Sequence, residues 1–150
     1  INFSNAANSH SGATSSVLND YEEGTWTPAW VATTSTISIQ SATYTKIGNV
    51  VTAHMYITQV SPATSADQQR ITGLPFTVSG SNHFPAGTIG YSGNADVANV
   101  GVVAAQNNTF LYFHYLDGTG GGSSLTRNNW NSIKSSGLAL LLSITYRTDA

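Results

Sequence analysis

Short apolar runs rich in β-branched and aromatic residues alternate with clusters of glycine, proline, asparagine and serine from Tyr21 to the end of the chain. This pattern is typical of the short strands of an antiparallel sandwich or barrel. No segment keeps an apolar stripe with the 3.6-residue period of a helix, so we expect almost no helix. The pattern predicts strands at residues 25–32, 36–39, 43–46, 50–59, 69–71, 77–79, 86–92, 98–106, 109–116 and 138–147.

Turn signals separate these predicted strands. Gly48-Asn49 lies between two of them and predicts a tight hairpin, because a primed turn requires a positive φ at its centre. A second short hairpin loop is predicted at 106–108, and Leu74-Pro75 argues against a continuous central strand at that point. The longest irregular segment is 117–136, and a loop of that length in a compact domain is usually functional or mobile.

Two of the predicted strands are apolar on both faces. In strand 138–147 one face is apolar throughout, and the other carries Ala139 and Leu141 before it becomes polar. In strand 109–116 both faces carry aromatic residues. A strand with one face in water normally alternates apolar with polar positions. We therefore expect the second face to be covered, either by a second sheet or by a neighbouring subunit.

The composition excludes several classes of protein. Charged residues make up 8% of the chain, whereas a typical soluble domain has about 25%. The net charge is −2 and the five basic residues are scattered, so nucleic acid is not an expected partner. There is no cysteine, which excludes disulfides and fits assembly in a reducing cytoplasm. No apolar run approaches the roughly 20 residues of a membrane helix.

The 150 residues suit one domain preceded by an arm. Residues 1–19 are small and polar and follow neither period, so they are predicted to be an arm or linker, and 20–150 to be the folded domain. The chain begins at Ile1 and not at Met, so we expect a fragment or a processed product.

The stretch LNDYEEGTWTPAW at 18–30 holds the one concentration of acidic residues. Asp20 and Glu22 would share a side of an extended chain about 6–7 Å apart, a separation that glycoside hydrolases use for two carboxylates. Acids beside a polar arm are more often solvated or cap a loop, which is the favoured interpretation. Trp26 and Trp30 lie four positions apart, and packing in a core or an interface is favoured over stacking on a sugar.

Other catalytic and metal-binding patterns are missing. The four histidines are far apart, so a zinc site is unsupported, and His54 and His114 are expected on a sheet face or an interface. The glycine run at 118–124 lacks the Gly-Lys-Ser/Thr ending of a phosphate loop. No cofactor and no metal are predicted, and nothing in the sequence requires an enzyme.

Three phrases, DYEEGTWTP at 20–28, YTKIGNVV at 44–51 and ITGLPF at 71–76, resemble in order and spacing the C-terminal knob modules of tailed-bacteriophage tail fibres and tail needles. The resemblance covers about residues 17–78. It implies an all-β fold, a jelly-roll-type antiparallel β-sandwich similar to the heads of tumour-necrosis-factor-like proteins, assembled as a homotrimer. It also implies an N-terminal stalk of the same polypeptide and a place in the virion, in a phage tail assembled in the host cytoplasm.

The function that the resemblance implies is contact with the host cell envelope at the start of infection, through a surface glycan or an outer-membrane protein. In such modules the acidic-aromatic phrase leads from stalk to head, which favours a non-catalytic role. The alternative is a structural tip that registers three chains, or that plugs or pierces the envelope without a specific receptor. A glycan-cleaving tip enzyme is the least favoured possibility.

A sugar would be bound by groups that hydrogen-bond its hydroxyls and by an aromatic ring that covers its apolar face. The loop after the strand 109–116 supplies them, and they are Asp117, Arg127, Asn128 and Trp130. Disorder of this loop, or its packing on a neighbour, is an equally favoured alternative. Arg147 lies on the less apolar face of the last strand, so three copies around a threefold axis could hold a small anion or carboxylate.

Overall fold

A computed structural model describes residues 20–31, 36–59, 69–80, 84–95, 100–116, 122–124 and 134–149. These residues form ten β-strands, and no helix occurs among them. The strands are β1 (Tyr21–Thr25), β2 (Ala29–Trp30), β3 (Ile37–Ile47), β4 (Val50–Gln59), β5 (Arg70–Thr72), β6 (Ala86–Ala95), β7 (Val100–Ala104), β8 (Phe110–Leu116), β9 (Gly122–Ser124) and β10 (Lys134–Arg147). The predicted all-β class is confirmed.

All the strands belong to one antiparallel sheet in the order β1-β3-β4-β10-β6-β7-β8-β5-β2, with β9 added beside β8. The two end strands of the sheet, β1 and β2, are consecutive in the chain and separated by only Trp26, Thr27 and Pro28. The sheet must therefore curl strongly to bring its two ends together. The N–H of Trp26 still bonds to the carbonyl of Ala42, beyond the end of the β1–β3 ladder. The curled sheet therefore has an inner face that encloses the core and an outer face.

The core is built from the inward positions of strands from both halves of the sheet. Its largest fully buried side chains include Tyr146, Phe113, Ile57, Ile71, Leu111 and Leu140. The indole of Trp30 stacks on Phe113, with ring centroids 5.7 Å apart and an interplanar angle of 17°. Burying a large apolar side chain contributes roughly 1.5–3 kcal/mol, so this cluster dominates the stability of the fold.

Both predicted hairpins are present. Gly48 has a φ of +58° in the turn that joins β3 to β4, and Asn107 has a φ of +55° in the loop that joins β7 to β8. Glycine and asparagine adopt this left-handed region more readily than other residues, so Gly48 and Asn107 are well suited to these two turns. As expected from Leu74-Pro75, no strand continues through these two residues, and β5 ends at Thr72.

The structure corrects several strand boundaries. The predicted strand 25–32 is broken, because Pro28 lacks the N–H of a ladder and the chain passes there from one end of the sheet to the other. The predicted strands 36–39 and 43–46 are the single strand β3 with a bulge, and 77–79 is not a strand. The long loop is shorter than predicted, because β9 pairs with β8 and β10 begins at Lys134.

The predicted arm, 1–19, lies outside the described residues. Within the described residues, no helix has the length and apolar character needed to span a membrane.

Candidate functional site

The acidic cluster forms interactions that tie β1 to β3. Asp20 forms an ion pair with Lys46, whose side chain is buried, while Asp20 itself is about half exposed. The hydroxyl of Tyr44 donates a hydrogen bond to Glu22. The hydroxyl of Tyr21 donates to Glu23 across 2.8 Å, and this bond raises the pKa of Tyr21. Each carboxylate therefore has a protein partner: Asp20 and Glu22 bond to residues of β3, and Glu23 bonds within β1.

Trp26 and Trp30 lie in the core, as favoured for them, and are 7% and 6% exposed. The indole N–H of Trp26 donates to the backbone carbonyl of His54, 3.1 Å away. The indole N–H of Trp30 donates to the side-chain oxygen of Gln69, 2.6 Å away. With their polar atoms engaged inside the fold, neither ring is available to stack on a ligand.

The predicted loop residues Asp117, Arg127, Asn128 and Trp130 lie outside the described residues, so their proposed role stays a prediction. Arg147 is exposed at the end of β10 and is paired in register with Val50. It lies on the outer face, as its strand position predicted. Among the described residues no three potential metal ligands come together.

A groove on the outer face is the site that sequence reasoning missed. It has a volume of about 460 Å³ and crosses β3, β4, β10 and β6. Its walls carry Ser41, His54, Tyr56, Thr88, Gly90, Leu141 and Ser143, and the buried residues Met55 and Leu142 complete the lining. We call this feature the outer groove. The described residues that line it supply hydroxyl groups, an imidazole, a phenol and an aliphatic side chain, and none of them is Lys, Arg, Asp or Glu.

Strand register places these groups side by side. Tyr56 lies between Ser41 on β3 and Leu141 on β10. One row further along, His54 lies next to Ser143, which in turn pairs with Thr88 on β6. Side chains that share a face across neighbouring strands are roughly 4.5–5.5 Å apart at their Cβ atoms, so a ligand spanning the groove would meet several strands at once.

Two β-bulges flank the outer groove at the same level of the sheet. On β3, Gln40 is the extra residue between the pairs Ile39–Ile57 and Ser41–Tyr56. On β6, Gly90 is the extra residue between the pairs of Ile89 and Tyr91 with β10. Bulges bend a strand, raise its local twist and occur often beside functional sites. The pair of bulges therefore gives a local physical reason for a concavity on an otherwise regular outer face.

The two bulge residues differ in how much of the space beside the outer groove their side chains fill. The side-chain amide of Gln40 donates hydrogen bonds to the hydroxyl of Ser38 on its own strand, 2.9 Å away, and to that of Thr58 on β4, 3.5 Å away. Gly90 has no side chain, and an added Cβ would touch only Leu141, at 3.7 Å. The Gly90 side of the groove is thus bounded by backbone and by Leu141, which is 43% exposed.

A second feature of the outer face is a row of aromatic rings along β8, which we call the β8 aromatic row: Phe110, Tyr112 and His114. The ring centroids of Phe110 and Tyr112 are 6.3 Å apart, and those of Tyr112 and His114 are 4.8 Å apart in an edge-to-face arrangement. All three side chains are half-buried, while the alternate residues Leu111 and Phe113 are in the core. The prediction that His54 and His114 lie on a sheet face is confirmed for both.

No protein-family model, curated protein or solved structure matches the chain. What the domain binds must therefore be inferred from the chemistry of its surface.

Proposed function

We propose that the chain is the distal knob of a bacteriophage tail fibre or tail needle and that it contacts the host cell envelope at the start of infection. In this proposal the curled sheet is one subunit of a homotrimeric head of jelly-roll type, carried in the virion by an N-terminal stalk. The head recognises a surface glycan or an outer-membrane protein and does no chemistry on it. Support comes from the three knob-like phrases in 20–76 and from the all-β architecture.

The outer groove is the observation that carries the binding role. A neutral sugar has an apolar ring face and a rim of hydroxyls, so it needs an amphipathic surface of matching size. Tyr56 and Leu141 offer apolar area, while Ser41, Thr88 and Ser143 offer hydroxyls that both donate and accept hydrogen bonds. A concave site with a few placed polar groups is the usual form of a ligand pocket.

The ion pair and the hydrogen bond of the acidic cluster support a non-enzymatic role. Two-carboxylate hydrolysis requires one protonated carboxyl group in an apolar pocket and one free carboxylate. Here Asp20 is paired with Lys46, and Glu22 accepts a hydrogen bond from Tyr44. Release of reducing ends from host polysaccharide that disappears in Glu22→Gln would contradict this part of the proposal.

Binding through the outer groove is tested by applying the purified domain to a glycan array and to panels of bacterial cells. We expect a subset of neutral glycans or cells to bind, and Tyr56→Ala to weaken that binding at least tenfold. Tyr21→Ala is the matched control, because Tyr21 is an exposed tyrosine at the end of β1 and outside the groove. Equal binding by wild type and Tyr56→Ala would remove the groove, and Trp130→Ala would then test the loop in its place.

Self-association is a second candidate role for the same face. Leu141 is 43% exposed and Tyr91, its register partner on β6, is 56% exposed. Large apolar side chains next to each other on an outer face are typical of surfaces that pair with another protein. A structural tip that registers three chains would cover these residues with a neighbouring copy.

Sedimentation equilibrium separates the two roles. We expect a trimer at micromolar concentration, and a stable monomer there would overturn the homotrimer. If Leu141→Lys converts the trimer to monomers, the outer groove is a subunit interface and not a ligand site. If Leu141→Lys stays trimeric and loses glycan binding, the groove is the receptor site and the subunits meet elsewhere.

A further inference from the structure

We propose that the β8 aromatic row and Arg70 form a second binding site, specific for an anionic saccharide. A sugar ring would lie on Tyr112, and its carboxylate or phosphate group would pair with the guanidinium of Arg70. The inference goes beyond envelope contact through the outer groove, because the site lies on different strands and would select a different, charged ligand.

The aromatic surface is continuous and fixed in place. Phe110, Tyr112 and His114 occupy successive outward positions of β8, and each ring contacts the next. Inward neighbours of the row are core residues such as Leu111 and Phe113, which are fully buried, so the strand beneath the rings is anchored. Aromatic rings held this way present a large contact area with few rotatable bonds to immobilise on binding.

Arg70 lies at the side of this row. It is the register partner of Tyr112 on β5, and its guanidinium lies 5.2 Å from the centre of the Phe110 ring. The contact is a cation–π interaction, and it leaves the edges of the guanidinium available to hydrogen-bond acceptors. Among the described residues, the one ion pair is that of Lys46 with Asp20, so Arg70 has no carboxylate partner there.

The surroundings favour an added anion. Besides Arg70, the described register partners of the row are Thr72, Val103, Gly101 and Ser124, none of which is charged. An arginine held on a ring with uncharged neighbours is complementary to a carboxylate or phosphate, to which it can donate two parallel hydrogen bonds. The chain has only five Lys and Arg residues, which makes a preorganised arginine beside three rings a specific feature and not part of a basic surface.

The far end of the row has room for a ligand. Gly101 is the register partner of His114, and a Cβ added to Gly101 would meet no atom within 4 Å. Gly101 therefore adds no side chain on one side of His114, while Ser124 of β9 is its register partner on the other side. A saccharide of two or three units could extend from Arg70 past Tyr112 to His114, where the imidazole can hydrogen-bond a sugar hydroxyl.

A single-stranded nucleic acid is the competing ligand for rings with an arginine, because bases stack on aromatic faces. Two features disfavour it here. The rings are tilted to each other by 54° and 70° and so do not form parallel stacking platforms. The chain has a net charge of −2 and only five Lys and Arg residues, too few for a basic surface that follows a phosphate backbone.

The test is calorimetric titration of the purified domain with three saccharides and one oligonucleotide. The saccharides are trigalacturonate, neutral galactotriose and galactose 1-phosphate, and the oligonucleotide is a ten-residue thymidine strand. We expect trigalacturonate or galactose 1-phosphate to bind at least tenfold more tightly than galactotriose, and the comparison of these two identifies the preferred anionic group. Tighter binding of the oligonucleotide, or equal binding of charged and neutral saccharides, would overturn the proposal.

Matched variants locate the binding. Arg70→Gln should weaken anionic saccharide binding at least tenfold, Arg70→Lys should restore part of it, and Tyr112→Ala should weaken it as well. Tyr21→Ala is the control for Tyr112→Ala, because Tyr21 is an exposed tyrosine on β1, which pairs with neither β5 nor β8. An unchanged affinity in Arg70→Gln would refute the site.

Two further measurements keep the result interpretable. Raising the salt concentration on wild-type protein should weaken trigalacturonate binding, because pairing of charges is screened, and a salt-independent affinity would count against Arg70 even if Arg70→Gln fails to fold. Tyr56→Ala in the outer groove should leave this affinity unchanged. The proposal for this site and the proposal for the outer groove can therefore be refuted independently.

Discussion

The indole N–H of Trp30 donates a hydrogen bond to the side-chain oxygen of Gln69, 2.6 Å away, in the interior of the domain. Trp30 belongs to the end strand β2, and Gln69 immediately precedes β5, the strand that pairs with β2. Gln69 is 1% exposed, so this amide is a fully buried polar group. The bond fixes the last strand of the curled sheet to the core.

Gln69→Ala is expected to destabilise the domain by about 2–4 kcal/mol, because the Trp30 indole loses a buried acceptor and the missing side chain leaves a void. Urea unfolding followed by tryptophan fluorescence measures this change. In a Trp30→Phe background, which lacks the indole N–H, the same substitution should cost at least 1 kcal/mol less. Equal costs in the two backgrounds would show that the hydrogen bond adds nothing to stability.

Gly73→Ala and Gly101→Ala should have opposite effects. Gly73 has a φ of +94°, and a Cβ there would lie 2.2 Å from the backbone oxygen of Thr27, so alanine should cost at least about 2 kcal/mol or prevent folding. Gly101 lies in β7 with open space around an added Cβ, so alanine should stabilise by about 0.4–1 kcal/mol. Thermal unfolding of both variants tests the pair, and a neutral Gly73→Ala would contradict the close approach of the two backbone segments.

Asp20→Asn should destabilise more than Lys46→Met. Lys46 is buried, with its ammonium 5.6 Å from the centre of the Phe76 ring, while Asp20 is about half exposed. Removing the carboxylate leaves a buried cation without its partner, whereas methionine replaces that cation with an apolar chain of similar length. We expect a cost of about 1–3 kcal/mol for Asp20→Asn, less than for a fully buried pair because water screens Asp20.

Chemical denaturation at neutral pH measures both single variants, and the double variant gives their coupling. A cost for Lys46→Met that exceeds the cost for Asp20→Asn would mean that the ion pair itself, and not the avoidance of an uncompensated charge, stabilises the end strand β1.

Tyr146 should make the domain sensitive to alkali. Its hydroxyl accepts a hydrogen bond from the backbone N–H of Phe76 at 3.2 Å, and burial raises its pKa well above the ordinary value of 10. Because the folded state holds this proton more tightly than the unfolded state, the stability is fully present below about pH 10. It is lost as the pH rises above that value, by at most about 1.4 kcal/mol per pH unit.

Tyr146→Phe should remove this loss above pH 10 and should cost about 0.5–1.5 kcal/mol at neutral pH through the lost acceptor. Urea unfolding from pH 7 to pH 11 measures both effects. Tyr91→Phe is the control, because Tyr91 is an exposed tyrosine on β6 and lies outside the core. An identical alkaline slope in wild type and Tyr146→Phe would show that another group governs alkaline unfolding.

Local chemistry explains where the sequence predicted the fold well. Gly48 and Asn107 mark their hairpins because each turn needs a positive φ, and these residue types accept it. The alternation of Leu140, Leu142 and Ile144 predicted a buried face of β10, and all three are in the core. Pro28 lies within a predicted strand and interrupts it, because proline has no N–H to donate to a neighbouring strand. Whether that N–H is needed depends on the sheet order.

The candidate sites depended on pairings that no local pattern contains. The β8 aromatic row is visible in the sequence as alternate positions, but Arg70 joins it only because β5 pairs with β8 across 40 or so intervening residues. The outer groove needs four strands brought together in the order β3-β4-β10-β6, together with two bulges opposite each other. Register between distant strands is set by the packing of the whole core, so it could not be predicted from neighbours in the chain.

The sequence by itself determined the antiparallel β architecture, the hairpin turns and the inward positions, because backbone geometry and side-chain alternation act over a few residues. Only the tertiary structure decided that β1 and β2 end the same curled sheet, that Lys46 is buried beside Asp20, and that Arg70 lies over Phe110. These relationships join residues that are distant in the chain, and they arise when burial of the common core fixes which strands become neighbours.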